Sequence, residues 1–169
     1  MQSNDEIKQP PLYTVEQRQR RDASAWTLVQ GVLAPVQFLI FLISLALVLR
    51  FLATGEGQSV AVGSVVVKTV ALYAIMITGC IWEKVVFDCY LFATAFYWED
   101  MFSMLVLALH TAYLVALFTG GLGTESLMYL ALAAYAAYVV NAVQFILKLR
   151  AARLGQAQQT ALASRGVAA

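Results

Sequence analysis

Four apolar stretches, each long enough to cross a bilayer, decide what this chain can fold into. They run from about Trp26 to Leu52, Val60 to Trp82, Trp98 to Phe118 and Ser126 to Leu149. A membrane helix needs about 20 consecutive apolar residues. Within lipid, each backbone polar group must be satisfied inside the segment, so such stretches fold as helices. A soluble domain carries about 25% charged residues, whereas this chain has 12%, against 61% hydrophobic. The sequence reads as an all-α integral membrane protein.

Gly55-Glu56-Gly57 and Gly120-Gly121-Leu122-Gly123 mark short turns. Short turns make consecutive helices antiparallel neighbours, so the expected architecture is an up-down four-helix bundle. Three regions follow: a polar tail over 1–25, a transmembrane domain over 26–149 and a flexible, Ala/Gln-rich tail over 150–169. In the first, Pro10-Pro11 is extended, and Thr14-Val15-Glu16-Gln17 has the form of a capping box opening a short basic helix through Arg21. Residues 1–25 are polar with both charge signs, and the apolar run after them is too long for a signal peptide's core, so the first helix should be retained. Pro35 is expected to kink the first span, since proline removes one helical hydrogen bond.

Basic residues set the expected orientation. Lys8, Arg18, Arg20 and Arg21 precede the first span, Lys84 follows the second, and Lys148, Arg150, Arg153 and Arg165 follow the fourth. The loops at 53–59 and 119–125 have no Lys or Arg. Both termini and the 83–97 connection should therefore face the cytoplasm. Arg50 and Lys68 are expected to snorkel toward the opposite interface.

The 83–97 connection and the start of the third span gather Glu83, Lys84, Asp88, Glu99 and Asp100 with Tyr90, Tyr97 and Trp98. Charges near membrane depth are costly and usually face a bundle interior, a cavity or the interface. Trp26, Trp82 and Trp98 suit the aromatic belt. The third span carries the clearest pattern: at about 100° per residue, Glu99, Ser103, Val106, His110 and Tyr113 fall within about 80° of one another. His110, the chain's one histidine, lies about 16 Å along the axis from Glu99, so the two would meet only through a large flat ligand. In the first span Gln30, Gln37 and Ser44 recur every seven residues, with Thr27 nearby, and in the fourth Tyr138 and Asn141 share a side. Their plainest role is hydrogen bonding between helices.

Other chemistries are missing from the sequence. A net charge of +1 with no basic stripe points away from nucleic acid. Cys80 and Cys89, nine apart, have no zinc or redox spacing. There is no H-E-x-x-H, G-x-S-x-G, Walker or dinucleotide motif. One histidine is too few for a multi-histidine metal site. An enzyme built here would work by acid–base chemistry on something lipophilic, without a metal or cofactor of its own.

Residues 14–150 resemble the 3-vinyl-bacteriochlorophyllide hydratase family of bacteriochlorophyll biosynthesis. The resemblance rests on Arg20-Arg21-Asp22, Trp26-Thr27-Leu28-Val29-Gln30-Gly31, Ala34-Pro35-Val36-Gln37, Ile81-Trp82-Glu83-Lys84-Val85, Tyr90-Leu91-Phe92, Trp98-Glu99-Asp100 and Ala108-Leu109-His110-Thr111-Ala112-Tyr113. It departs at Asp88-Cys89, where the family often has Gly-Arg, so a basic contact is missing from that loop.

The resemblance implies a cofactor-independent hydro-lyase that adds water to the C3 vinyl group of chlorophyllide or bacteriochlorophyllide, giving a 1-hydroxyethyl group. The resemblance does not assign the catalytic residues; on the chemistry of the reaction, the candidates in this chain are Glu83, Glu99, Asp100 and His110. Glu99 or Glu83 would be the acid, Asp100 or the other Glu would orient water, and Lys84 would set their proton affinities. His110 is the candidate axial ligand of the substrate's magnesium, or a second proton-transfer group. Trp82, Tyr97 and Trp98 would pack against the ring, with Tyr113, Gln37 and Asn141 also touching substrate. The implied setting is the photosynthetic intracytoplasmic membrane of a bacterium, with the lipid bilayer and other pigment-biosynthesis enzymes as neighbours. A non-catalytic pigment-binding or assembly subunit is the alternative, and a bland scaffold the third reading.

Overall fold

The computed structural model describes residues 12–167, with side chains through residue 155. It is helical: α1 Val15–Ala23, α2 Ala25–Thr54, α3 Gln58–Phe87, α4 Tyr97–Thr119 and α5 Thr124–Val167. The last four are long and apolar enough to cross a membrane. Pro10-Pro11 and Lys8 lie outside the described residues.

Local chemistry explains the boundaries. Thr14 and Gln17 form the reciprocal capping box that opens α1. The Ser24 hydroxyl accepts from the Trp26 amide and opens α2. Gly55 and Gly120, at φ 73° and 66°, close α2 and α4 in the left-handed conformation that glycine adopts without strain. α2 runs through Pro35 without a break in the helix.

Two helix ends differ from expectation. α3 continues past Trp82 to Phe87, so Glu83 and Lys84 sit inside its last turns and the connection shortens to residues 88–96. Val86 drives the extension, being fully buried in a small cluster with Tyr13 and Phe96. α5 continues past Leu149 as helix through Val167.

Hydrogen bonds give the pairing. Trp82 Nε1 donates to Thr27 Oγ1 at 2.9 Å, Gln30 Nε2 donates to Thr78 Oγ1 at 2.7 Å, and the Ser44 and Ser64 hydroxyls bond at 2.7 Å. Early α2 thus meets late α3, and the two run antiparallel. Lys148 to Glu99 and Asn141 to Ser103 pair α5 with α4 in the same sense. Each hairpin packs along its length, while the two hairpins touch over far less.

The core centres on Phe41, Val48, Val65, Val106, Tyr113, Met128 and Tyr135. Leu39, Ile43, Val70, Ile77, Val115 and Phe118 lie exposed on the outside. An apolar exterior of that extent suits lipid rather than water. Lys68 contradicts expectation: it does not snorkel to an interface but is fully buried in the bundle. It lies ten residues into α3, about 15 Å from the helix start, beyond the reach of its side chain to that end.

Candidate active site at the α3–α4 end

The 88–96 connection folds back over the end of the bundle. Phe96 anchors it, with its ring 5.8 Å from each of Trp82, Phe87 and Phe145. Tyr13 stacks on Phe87 from the other side at 5.7 Å. This aromatic cap covers a spot where α3 ends and α4 begins. Glu83, Glu99 and Asp100 are all buried there.

Glu83 and Asp100 bring their carboxyl groups together, close enough to couple. The connection donates to both. The Phe92 amide reaches Asp100 Oδ2 at 2.8 Å, and the next amide, Ala93, reaches Glu83 Oε2 at 3.3 Å. Consecutive amides can converge this way because Phe92 has φ 59°, which turns the chain into a small concave nest of N–H groups. A left-handed conformation costs a non-glycine residue about 1–2 kcal/mol, and such strain persists only where its surroundings hold it in place.

Glu99 is engaged differently. Its Oε2 accepts from Lys148 Nζ at 2.6 Å, and that ammonium also lies 5.1 Å from the Phe96 ring centroid. Lys84 does not serve the carboxyl pair. It reaches outward, donating to Asp88 Oδ1 at 2.7 Å, and holds the exposed Asp88 carboxyl below its usual range. The expectation that Lys84 tunes the acids is therefore corrected: the cation at the cluster is Lys148, one helix away. Asp88 has φ 65°, a left-handed conformation that glycine would take freely.

The aromatic candidates separate. Trp82 sits under the cap with its ring N–H bonded to Thr27, not to water at the interface. Tyr97 and Trp98 are exposed and pack edge to face on each other at 5.6 Å, with Tyr97 also against Phe92. They lie on the outside of the mouth. Cys89 lies near the pair; desolvation and then the charges of Glu83 and Asp100 push its thiol up, which disfavours a reactive thiolate.

A second polar group lies deeper. The predicted α4 face is buried in full: Glu99, Ser103, Val106, His110 and Tyr113 all point inward. His110 Nδ1 bonds the Val106 carbonyl at 2.8 Å. A carbonyl only accepts, so Nδ1 carries the hydrogen, and a neutral ring presents a lone pair at Nε2. Among the described residues, that Nε2 has no partner, nor do Tyr113 OH, Gln37 Nε2 and Lys68 Nζ. Asn141 Nδ2 donates to Ser103 Oγ at 2.9 Å, leaving Asn141 Oδ1 unpaired. Among the described residues no three His, Cys, Asp or Glu side chains converge as ligands of a metal ion. A groove of about 460 Å³ along α5, lined by Ile146, Leu149, Arg150, Arg153 and Leu154, belongs to one helix and includes none of these groups.

Sequence reasoning missed Lys148, Lys68 and the two amides as site groups. Lys148 had a signal, because it lies at the same depth as Glu99 once α4 and α5 are paired. Lys68 had one too, as the single charge in the interior of its span.

A family model described as 2-vinyl bacteriochlorophyllide hydratase (BCHF) matches residues 13–151. A protein of that name from Cereibacter sphaeroides is 66% identical over 146 residues, covering 85% of this chain and 89% of the relative. Another of that name from Rhodobacter capsulatus is 63% identical over 150 residues, covering 89% of this chain and 87% of the relative. The chain belongs to the 2-vinyl bacteriochlorophyllide hydratase family. No solved structure matches it. The family match takes in Tyr13, the whole 88–96 connection, the carboxyl cluster with Lys148, and the deeper group around His110. In this member of the hydratase family, every polar group of both clusters therefore lies inside the shared span.

Proposed function

We propose that this chain is a hydro-lyase that adds water across the vinyl group of chlorophyllide or 3-vinyl bacteriochlorophyllide in bacteriochlorophyll biosynthesis. The vinyl group numbered 2 in the family name is the one numbered 3 in the other macrocycle numbering. The observation that carries the mechanism is the Glu83–Asp100 contact under the Phe92 and Ala93 amides. Two buried carboxylates repel at contact, and the arrangement is favourable when one of them holds a proton.

That proton supplies the first step. It passes to the terminal vinyl carbon, and the positive charge forms on the adjacent carbon, delocalised into the macrocycle. The pair is left with an added negative charge, which the two amides stabilise as it develops. Water attacks the cation while the pair takes back its proton. Atoms balance: one water is added, and the pair ends as it began. Glu99, held by Lys148, positions the start of α4 and thereby Asp100. His110 offers Nε2 to the substrate's magnesium from deeper in the bundle. Trp82 lies under the reacting end, and Tyr113, Gln37 and Asn141 offer polar atoms along the ring.

The chain crosses the membrane four times as an up-down bundle, with both termini and the carboxyl cluster on the cytoplasmic side of the photosynthetic membrane. The absence of Lys and Arg from the 53–59 and 119–125 loops supports this orientation. An amphiphilic pigment made in the cell, and the enzymes that make it, would meet the site from that side.

Purified protein in detergent, given chlorophyllide, tests the reading by mass. A protein-dependent gain of one water is expected. Pigment bound without any gain would overturn the hydratase reading in favour of a binding subunit.

A further inference from the structure

Lys68 is wholly buried, and among the described residues its ammonium has no hydrogen-bond partner. Nζ lies 3.9 Å from the centroid of the Tyr138 ring. A buried ammonium is strongly unfavourable unless paired. The chain does not offer it a counter-charge: no Asp or Glu occurs between Glu56 and Glu83, between Asp100 and Glu125, or after Glu125. His110 lies within electrostatic range and, as a neutral ring, does not supply one. A buried cation without a counter-charge calls for an anionic ligand from outside the chain.

The depth fits one. Tyr138 precedes Lys148 by ten residues on α5, about 15 Å of helix, and Lys148 is bonded to Glu99 in the carboxyl cluster. The Lys68 ammonium beside Tyr138 therefore lies deeper in the bundle than the carboxyl cluster. The two hairpins touch each other over less of their length than the helices within each hairpin do.

We propose that Lys68 binds the free carboxylate of the tetrapyrrole substrate inside the bundle, setting how deep the ring inserts. This rests on the hydratase reading for the identity of the ligand. A chlorophyllide bears a carboxylate, whereas its ester does not, so the site would select the free acid.

The test compares chlorophyllide with its methyl ester, by spectroscopic titration and by turnover, on the wild type and on Lys68→Met. Wild type should bind the free acid at least about tenfold more tightly, the scale of a charge-assisted hydrogen bond. Lys68→Met should lose that preference by weakening the acid alone, and Lys68→Arg should keep most of it. Equal binding of acid and ester by wild type, or an undiminished preference in Lys68→Met, would overturn the assignment. The wild-type comparison decides the matter even if Lys68→Met fails to fold. Acid-selective binding without water addition would overturn the hydratase reading and leave Lys68 as the carboxylate site. Failure of wild type to bind either pigment would overturn both.

Discussion

Glu83 near the end of α3 and Asp100 at the start of α4 bring their carboxyl groups together, although 17 positions separate them in the chain. Neither helix alone could build it. The contact needs α3 to run on to Phe87, the connection to turn back at Phe92, and Phe96 to fix the loop beneath an aromatic cap. The result is a buried carboxyl pair with two backbone donors aimed at it, and the proposed mechanism needs one of its members to hold a proton for transfer to carbon.

The Glu99–Lys148 pair joins α4 to α5 beside that site, with the two side chains 10% and 26% exposed. Lys148→Met should destabilise the folded protein by about 1–2 kcal/mol, discounted from a fully buried pair because water reaches the lysine. Glu99→Gln should cost a similar amount, and the double variant should cost less than the sum. Thermal unfolding of the four proteins in one detergent measures the coupling; additive losses would show that the pair does not act as a unit.

Lys84 and Asp88 bond to each other on the outside of the connection. Lys84→Ala should leave kcat and KM for the vinyl pigment close to wild type, since the ammonium does not touch the carboxyl pair. A large fall in kcat would restore Lys84 to the catalytic group.

Cys89 reports on the charge of the pair. Desolvation and the Glu83 and Asp100 carboxyls hold its thiol pKa above the ordinary value. At neutral pH the thiolate fraction is thereby lowered, and maleimide labelling should be slower than for an unperturbed thiol and should quicken as pH rises. In a Cys80→Ala background, the double variant Glu83→Gln/Asp100→Asn should speed labelling at pH 7 by removing the negative charge of the pair, whereas either single change leaves one carboxylate and should alter it less. Labelling that ignores the double substitution would mean that the charge does not reach Cys89.

Much of this was legible in the residue pattern, and the exceptions have physical causes. Length and apolarity announce the four spans, and 3.6-residue periodicity announces the buried face from Glu99 to Tyr113. The end of α3 was read five residues early because Glu83 and Lys84 look like a membrane boundary; burial of Val86 and an amide partner for Glu83 carry the helix past them. The Phe92 turn has no sequence signature, since left-handed backbone is advertised by Gly or Asn and not by Phe. The general habit of lysine in membranes points Lys68 to an interface, but ten residues into α3 its side chain cannot reach that end and lies buried beside Tyr138.

The most direct test of the central claim is the rate of water addition to chlorophyllide by Glu83→Gln, Asp100→Asn and the double variant, each shown to be folded and to bind pigment. The account predicts that each single change lowers kcat by about 10²–10⁴-fold, that pigment affinity changes little, and that the double variant is scarcely worse than the poorer single, as expected of residues acting as one unit. A folded double variant that hydrates the vinyl group at the wild-type rate would contradict it.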